Sequence, residues 1–321
     1  MYEILDVSGL DNSNNTKGAQ ELYMSPKDFE LLHDAKEAVT GLNCAIRYAD
    51  SPNFETEKDV RRMREWMKDM QVFILGVTEK FIRSMEAGNT SKEFLAARKF
   101  LIPIIAIADN DDLLQSYHRI TRTADGISKT DRYYRKKFRA RIEEHLVSKD
   151  NLPLQKRAFE YVEKAQSYFQ KVDYKQSIEC LTKAYDIKEQ LHVNAPPCTD
   201  DLCCNIGLCY AEMYNFKMAY EWFSKTLELN KKYRGNENPH TAYTYRLMGQ
   251  TNRELGKIHE SLECLLHSFV IYYNSLGGGH EDTDLAARML GSLFVENIGN
   301  PEEFSVWMKK RTGLSMEYHP E

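Results

Sequence analysis

The sequence predicts an α/β domain with a parallel sheet, followed by an all-α superhelix of stacked helical hairpins. Residues 20–150 alternate short apolar runs with amphipathic segments, and residues 155–311 repeat a pattern of small and large residues every 42 positions. Alternation of the first kind is typical of sheets covered by helices, and a fixed period of this length is typical of solenoids. The predicted divisions are an N-terminal extension (1–19), an α/β domain (20–150), a solenoid (151–311) and a tail (312–321).

A small residue in the first helix of each hairpin anchors the repeat. These anchors are Ala165, Gly207, Gly249 and Gly291. Further small residues recur twelve and nineteen positions after the anchor, where they let two antiparallel helices approach closely. Large residues recur at three and sixteen positions and fill the gap between hairpins. We therefore expect four aromatic residues to lie in the core: Tyr168, Tyr210, Phe223 and Trp307.

Threonines mark the starts of the hairpins, and polar residues mark the last hairpin of the array. Thr199, Thr241 and Thr283 keep the 42-residue step just before apolar runs, which predicts threonine N-caps. In the fourth repeat, Glu303 and Lys310 stand where small residues recur in the others. That departure predicts a capping hairpin with a polar outer side.

The arrangement A/G-x-x-Y-x8-A-x3-F-x2-A resembles the tetratricopeptide repeat (TPR). Its 42-residue period, with linkers such as Asn238-Pro239-His240-Thr241-Ala242, resembles the kinesin-light-chain variety. The resemblance implies a concave groove, lined by the first helix of each hairpin, that binds a protein or peptide partner. The partner-binding residues expected in this groove are Asn205, Tyr245 and Asn252.

The first half shows four apolar runs that predict strands of a parallel sheet. The predicted strands are Leu22–Ser25, Asn43–Tyr48, Gln71–Val77 and Leu101–Ile107. The last two runs are nearly continuous, as expected for strands covered on both faces. Helices are predicted at 27–40, 57–69 and 79–99, with a further helix within 110–150.

Several segments of this half resemble a Toll/interleukin-1 receptor (TIR) domain, a flavodoxin-like α/β fold. They are Leu22–Asp28, Cys44–Asp50, Met70–Thr78 with Phe81–Ser84, and Ser91–Phe94 with Ala96-Ala97 running into Leu101–Ile104. The resemblance covers about 90 residues and is clearest over 70–107.

The TIR resemblance implies cleavage of the nicotinamide–ribose bond of NAD⁺, which would be a substrate and not a cofactor. The implied catalytic residue is Glu93, since a carboxylate can stabilise the cation that forms as nicotinamide leaves. The implied nucleotide-binding residues are Ser25, Lys27, Pro52 and Phe54. The family also implies self-association, and no metal is required.

Two other interpretations of this half stay open. In one, Glu93 is an exposed helix carboxylate near Lys92 and Arg98, and the chain is a non-catalytic adaptor. In the other, the α/β half is a different nucleotide-binding fold.

Composition limits the remaining functions. The net charge is −5, and neither a run of 18 apolar residues nor a signal peptide is present, so we expect a soluble cytoplasmic protein without a membrane partner. The seven cysteines are odd in number and lack a C-x-x-C motif, which favours reduced structural thiols over a zinc site at Cys198 and Cys203. The basic run 129–141 predicts a solvated helix face, with phosphate or nucleic-acid binding as the alternative.

Overall fold

The structure is a computed structural model that describes residues 4–6, 20–25, 44–49, 70–87, 94, 97–98, 101, 104–121, 126–145, 151–191 and 199–314. The chain forms two compact units, one that includes the sheet and Asp125–Leu202 and one that includes Cys203–Glu321. The predicted helices at 27–40 and 57–69 lie outside the described residues.

The first unit contains a six-stranded sheet. Its strands are β1 (Ile4–Asp6), β2 (Gln20–Ser25), β3 (Cys44–Ala49), β4 (Met70–Val77), β5 (Ile104–Ala108) and β6 (Ile127–Ser128). Their order is β1-β3-β2-β4-β5-β6, and every neighbouring pair is parallel except β1 with β3. Counted from β2, the parallel strands therefore have the order 2-1-3-4-5 of flavodoxin-like doubly wound sheets.

The four predicted strands correspond to β2, β3, β4 and β5, with shifted ends. The predicted strand start at Leu101 was wrong, because that residue lies in a turn with the left-handed φ of 54°, and β5 is described from Ile104. The edge strands β1 and β6 were not predicted, since three and two residues are too short to show a period.

The described part of the sheet region includes the helices α1 (Glu79–Glu86), α2 (Asp111–Thr121) and α3 (Tyr134–His145). The predicted helix 79–99 is wrong as a single element, because α1 ends at Glu86 with Ala87 as its C-cap. Thr78 caps α1 by accepting a hydrogen bond from the backbone N–H of Phe81. Phe81, Phe94 and Tyr117 pack against one another beside β4 and β5, with ring centroids 5.9–6.5 Å apart.

The remaining helices form four hairpins. They are α4 (Leu152–Gln170) with α5 (Tyr174–Leu191), α6 (Thr199–Glu212) with α7 (Phe216–Tyr233), α8 (Pro239–Glu254) with α9 (Ile258–Leu276), and α10 (Glu281–Asn297) with α11 (Pro301–Thr312). The first hairpin belongs to the unit that holds the sheet. There Phe159 of α4 joins the sheet's core, and the Lys188 ammonium of α5 donates to the Leu101 carbonyl at 3.0 Å.

Two of the predicted threonine caps are wrong. The side chains that cap α8 and α10 belong to Asn238 and His280, which accept from backbone N–H groups two residues later. Thr241 and Thr283 lie inside the first turn and are buried. Each hydroxyl instead donates to a carbonyl six residues earlier, that of Gly235 or Gly277, and so closes the loop between hairpins.

The fourth hairpin has the polar outer positions that the sequence predicts. Glu303 is exposed and forms a capping box with Asn300 at the start of α11. Phe304 and Met308 are buried instead, and Trp307 packs between Phe294 and Phe304 with ring centroids 5.3 and 6.2 Å away.

Candidate partner-binding surface

All four hairpin turns are closed by the same backbone bond. The residue three positions after each anchor accepts a hydrogen bond from the N–H five residues later, in the pattern of a Schellman motif. The N–H of the first residue donates to the carbonyl oxygen of the second in each of these N···O pairs: Asp173 to Tyr168 (2.9 Å), Asn215 to Tyr210 (2.9 Å), Lys257 to Asn252 (2.8 Å) and Gly299 to Phe294 (3.2 Å). The 42-residue period is therefore a period of backbone geometry as well as of residue types.

The two helices of a hairpin approach at the predicted small residues. The Ser177 hydroxyl donates to the carbonyl of the anchor Ala165 at 2.9 Å, and the Ser261 hydroxyl donates to that of Gly249 at 2.6 Å. A Cβ on Gly207 would lie 2.5 Å from the Phe223 ring, so that glycine is required by packing. This close approach fixes which side of each first helix remains for a partner.

One contact identifies a surface shared by neighbouring first helices of the second unit. The Arg253 guanidinium of α8 donates to the Glu296 carboxylate of α10 at 2.9 Å, and both side chains are about half exposed. Arg246 lies two helical turns before Arg253 and so shares its side of α8. Ser292 donates to Glu296 at 2.6 Å and lies one turn after Arg288. We call this surface, made of Arg246, Arg253, Arg288, Ser292 and Glu296, the α8–α10 face.

The arginines of the α8–α10 face are held by aromatic and acidic neighbours. The Arg246 guanidinium lies 5.0 Å from the centre of the Tyr243 ring and is hydrogen-bonded to the Tyr272 phenol. Burial raises the pKa of Tyr272, although Arg246 acts in the opposite direction, so this phenol stays protonated. Arg288 is half exposed and pairs with Asp284 at 3.0 Å. The three guanidinium groups stand against the carboxylates of Glu296 and Asp284, which leaves an excess of one positive charge among these groups.

The three groove residues predicted from the sequence do not come together on the α8–α10 face. Asn205 is half-buried on α6. Tyr245 stacks on His267 with ring centroids 5.0 Å apart, and Lys231 lies over its ring, so it faces the second helices α7 and α9. Asn252 is only 1% exposed, and its amide donates to the Cys264 sulfur at 3.8 Å. Their role in partner binding stays a prediction.

Residues of the α8–α10 face recur at fixed repeat positions in the sequence. Arg246 and Arg288 occupy the same repeat position, three residues before the anchors Gly249 and Gly291. Glutamate also recurs five residues after the anchor, at Glu212, Glu254 and Glu296. The prediction placed groove residues on the first helix of each hairpin, but the side of that helix on which a residue lies depends on its repeat position.

The predicted nucleotide site is only partly within the described residues. Ser25 ends β2, next to the carboxyl end of β4 where the strand order reverses, and open α/β sheets bind ligands at such a point. Glu93, Lys27, Pro52 and Phe54 lie outside the described residues. Glu93 is followed by Phe94, which is 1% exposed in the aromatic core.

Five cysteines of the helical hairpins are free thiols. Cys180, Cys203, Cys204 and Cys209 are buried, and burial raises the pKa of Cys264 to about 11. Among the described residues, no group of three or more metal-ligating side chains comes together. In the same part of the chain, no helix is long and apolar enough to cross a membrane.

Comparison with known proteins agrees with the hairpin geometry. Family models of the tetratricopeptide repeat match residues 161–191 and 201–274. A comparison with the curated proteins finds no match.

Among solved structures, the chain is similar to BtubC (BKLC) from P. vanneervenii. The identity is 12%, the TM-score is 0.42, and the match covers 53% of this chain and 67% of that one. It is also similar to the nearly identical TPR-like repeats of a Podosopora anserina kinesin light chain, at 12% identity and a TM-score of 0.41. That match covers 81% of this chain and 100% of the other. The C-terminal half of the chain contains tetratricopeptide repeats, and this conclusion rests on the family models and on the bonds that recur every 42 residues.

Proposed function

We propose that the repeat half binds an extended, acidic segment of a partner protein along the α8–α10 face. The observation that carries the proposal is the Arg253–Glu296 ion pair, which joins the first helices of neighbouring hairpins. A half-exposed ion pair contributes only about 0–1 kcal/mol, so a partner carboxylate can replace Glu296 at little cost. Arg288, half exposed and paired with Asp284, adds a guanidinium on α10, whereas Arg246 is held against the buried Tyr272 phenol.

A displayed library of random 12-residue peptides tests this proposal. We expect peptides selected on the full chain to be enriched in Asp and Glu, and to lose binding to a variant with Arg253→Glu and Arg288→Glu. The matched control is Lys171→Glu with Lys217→Glu, which reverses two exposed charges elsewhere. Selected peptides without acidic enrichment, or peptides that bind both variants equally, would contradict the proposal.

For the α/β half we propose a TIR-type domain that self-associates and hydrolyses NAD⁺, with Glu93 as the catalytic carboxylate. The parallel-strand order 2-1-3-4-5 and the position of Ser25 at the strand-order reversal support a nucleotide pocket there. Together the two halves would form a signalling or defence protein in which partner binding controls assembly. The alternative is an adaptor that acts through protein–protein contacts alone.

NAD⁺ consumption by the purified full chain separates these alternatives. We expect turnover by the wild type under crowding, a loss of at least about 100-fold in Glu93→Gln, and no loss in the exposed control Glu86→Gln. Size-exclusion chromatography reports whether each sample is assembled. Absence of turnover in an assembled wild-type sample would support the adaptor.

A further inference from the structure

The first hairpin holds a backbone turn of the sheet region that lies 87 residues earlier in the chain. The Lys188 ammonium of α5 donates to the Leu101 carbonyl at 3.0 Å, and both residues are half-buried. They belong to the same compact unit. A hydrogen bond from a charged donor is roughly twice as strong as one between neutral groups. The bond therefore ties α5 to the turn that leads into β5.

Leu101 has a backbone conformation that is unfavourable for leucine. Its φ of 54° lies in the left-handed region, where the Cβ crowds the following carbonyl oxygen. Its N–H donates to the Arg98 carbonyl at 3.2 Å, so the turn directly follows a helical stretch that includes Phe94, Ala97 and Arg98. Many helices end with a left-handed residue, but that residue is usually glycine. A bulky residue keeps this conformation only where its surroundings enforce it, and the bond from Lys188 supplies such a constraint.

The other helix of the first hairpin contributes to the core that holds the start of the same helical stretch. Phe94 is 1% exposed, and Phe159 of α4 lies in the same buried cluster. The Phe94 ring meets the Phe81 ring edge to face, with centroids 5.9 Å apart, and the Arg98 guanidinium lies 5.8 Å from the centre of the Phe94 ring. The stretch is therefore held by packing at Phe94 and by a hydrogen bond at Leu101.

The carboxylate assigned to NAD⁺ cleavage directly precedes this stretch in the chain. Glu93 is bonded to Phe94, so a displacement of the stretch also displaces the Glu93 backbone. A misplacement of about 1 Å can cost about 10²-fold in rate. We propose that Lys188 is a positioning residue, which holds the Leu101 turn and thereby keeps the Glu93 backbone in place for NAD⁺ cleavage. This role rests on the hydrolase activity proposed above.

NAD⁺ turnover by the assembled full chain tests the role of Lys188. Lys188→Met removes the ammonium but keeps an unbranched apolar stem, and it should lower kcat at least about tenfold while KM stays within about twofold. Lys188→Arg keeps a charged donor and should recover most of the lost kcat. The control Lys175→Met removes an exposed ammonium from the same helix and should change neither kcat nor KM.

Hydrogen–deuterium exchange at residue resolution separates a local effect from general destabilisation. In Lys188→Met the amides of Leu101 and Ile104 should exchange at least about fivefold faster, because the turn opens while the sheet stays folded. The amides of β4 should keep their wild-type rates. An equal acceleration in β4 would show that Lys188 only stabilises the fold, which would overturn the proposal.

Leu101→Gly tests whether Lys188 acts through the strained turn. Glycine adopts a left-handed φ without a steric penalty, so the turn should depend less on the bond from Lys188. In the Leu101→Gly background, Lys188→Met should lower kcat by less than about threefold, which is the coupling expected of two residues in contact. An equal loss in both backgrounds would overturn the route through Leu101.

The turnover measurements distinguish a failure of this role from a failure of the activity itself. Turnover that is the same in the wild type and in Lys188→Met would overturn the positioning role and leave the hydrolase standing. No turnover by the assembled wild type would contradict the hydrolase and the positioning role together. Circular dichroism melting checks that each variant folds.

Discussion

The second and third hairpins have the same backbone register but fill it with different residues. Both are closed by the same turn bond, and both have a glycine anchor under a large residue of the second helix. The third hairpin has Gly256 at the left-handed turn position, with a φ of 71°, whereas the second has Tyr214, with a φ of 58°. Tyr214 is 82% exposed. The comparison shows that the register depends on the turn bond and the close helix approach, and that it persists where a bulky residue strains the turn.

The anchor glycines should give the largest difference between these two hairpins. In Gly207→Ala the new Cβ would lie 2.5 Å from the Phe223 ring, and a buried aromatic ring cannot easily move. In Gly249→Ala the nearest atoms belong to Leu265, at 2.8 and 2.9 Å, and this side chain is flexible. We expect Gly207→Ala to lower the free energy of unfolding by about 2–3 kcal/mol and Gly249→Ala by about 1 kcal/mol, measured by urea unfolding with circular dichroism.

The control for the anchors is Gly279→Ala, because nothing lies within 4 Å of the added Cβ. Phe223→Leu in the Gly207→Ala background should recover part of the lost stability. Equal losses at Gly207 and Gly279 would show that helix packing does not require the anchor.

Two buried serines of the third hairpin should differ in their effect on stability by an intermediate amount. Ser261 and Ser268 are both 0% exposed, but only Ser261 has a hydrogen-bond partner, the Gly249 carbonyl. Ser261→Ala should cost about 1 kcal/mol because it removes a buried hydrogen bond, whereas Ser268→Ala should be neutral or stabilising. Thermal melts of the two variants measure the difference, and a larger loss for Ser268→Ala would contradict the assigned bonding.

The turn residues should give the smallest effect. Tyr214→Gly removes a left-handed backbone penalty of about 1–2 kcal/mol but adds flexibility to the unfolded chain, so we expect a net gain of about 1 kcal/mol. The reciprocal change Gly256→Tyr should cost about the same, because the site has open space and only the backbone resists. Urea midpoints of both variants measure the effect, and a destabilised Tyr214→Gly would mean that the Tyr214–Phe216 ring contact outweighs the backbone strain.

The difference between the chain's two halves explains why the sequence predicted the repeats more accurately than the sheet region. In the repeats, residues such as Gly249 and Ser261 recur in one register, so each position is supported by its equivalents. In the sheet region each sequence pattern occurs only once. The predicted ends of its strands and of the helix that begins at Glu79 and ends at Glu86 were therefore less accurate. Thr241 and Thr283 were misassigned as caps because the capping side chains, Asn238 and His280, are not the same residue in the two hairpins.

By itself the sequence determined the period, the anchors and the strand-forming runs, because these depend on local size and hydrophobicity. The tertiary structure decided which side of each first helix faces a partner. It turned Tyr245 toward the second helices, buried Asn252 against Cys264, and paired Arg253 with Glu296. The physical reason is that exposure and ion pairing depend on how neighbouring helices cover one another, and residues 43 apart in the chain meet only after the hairpins have stacked.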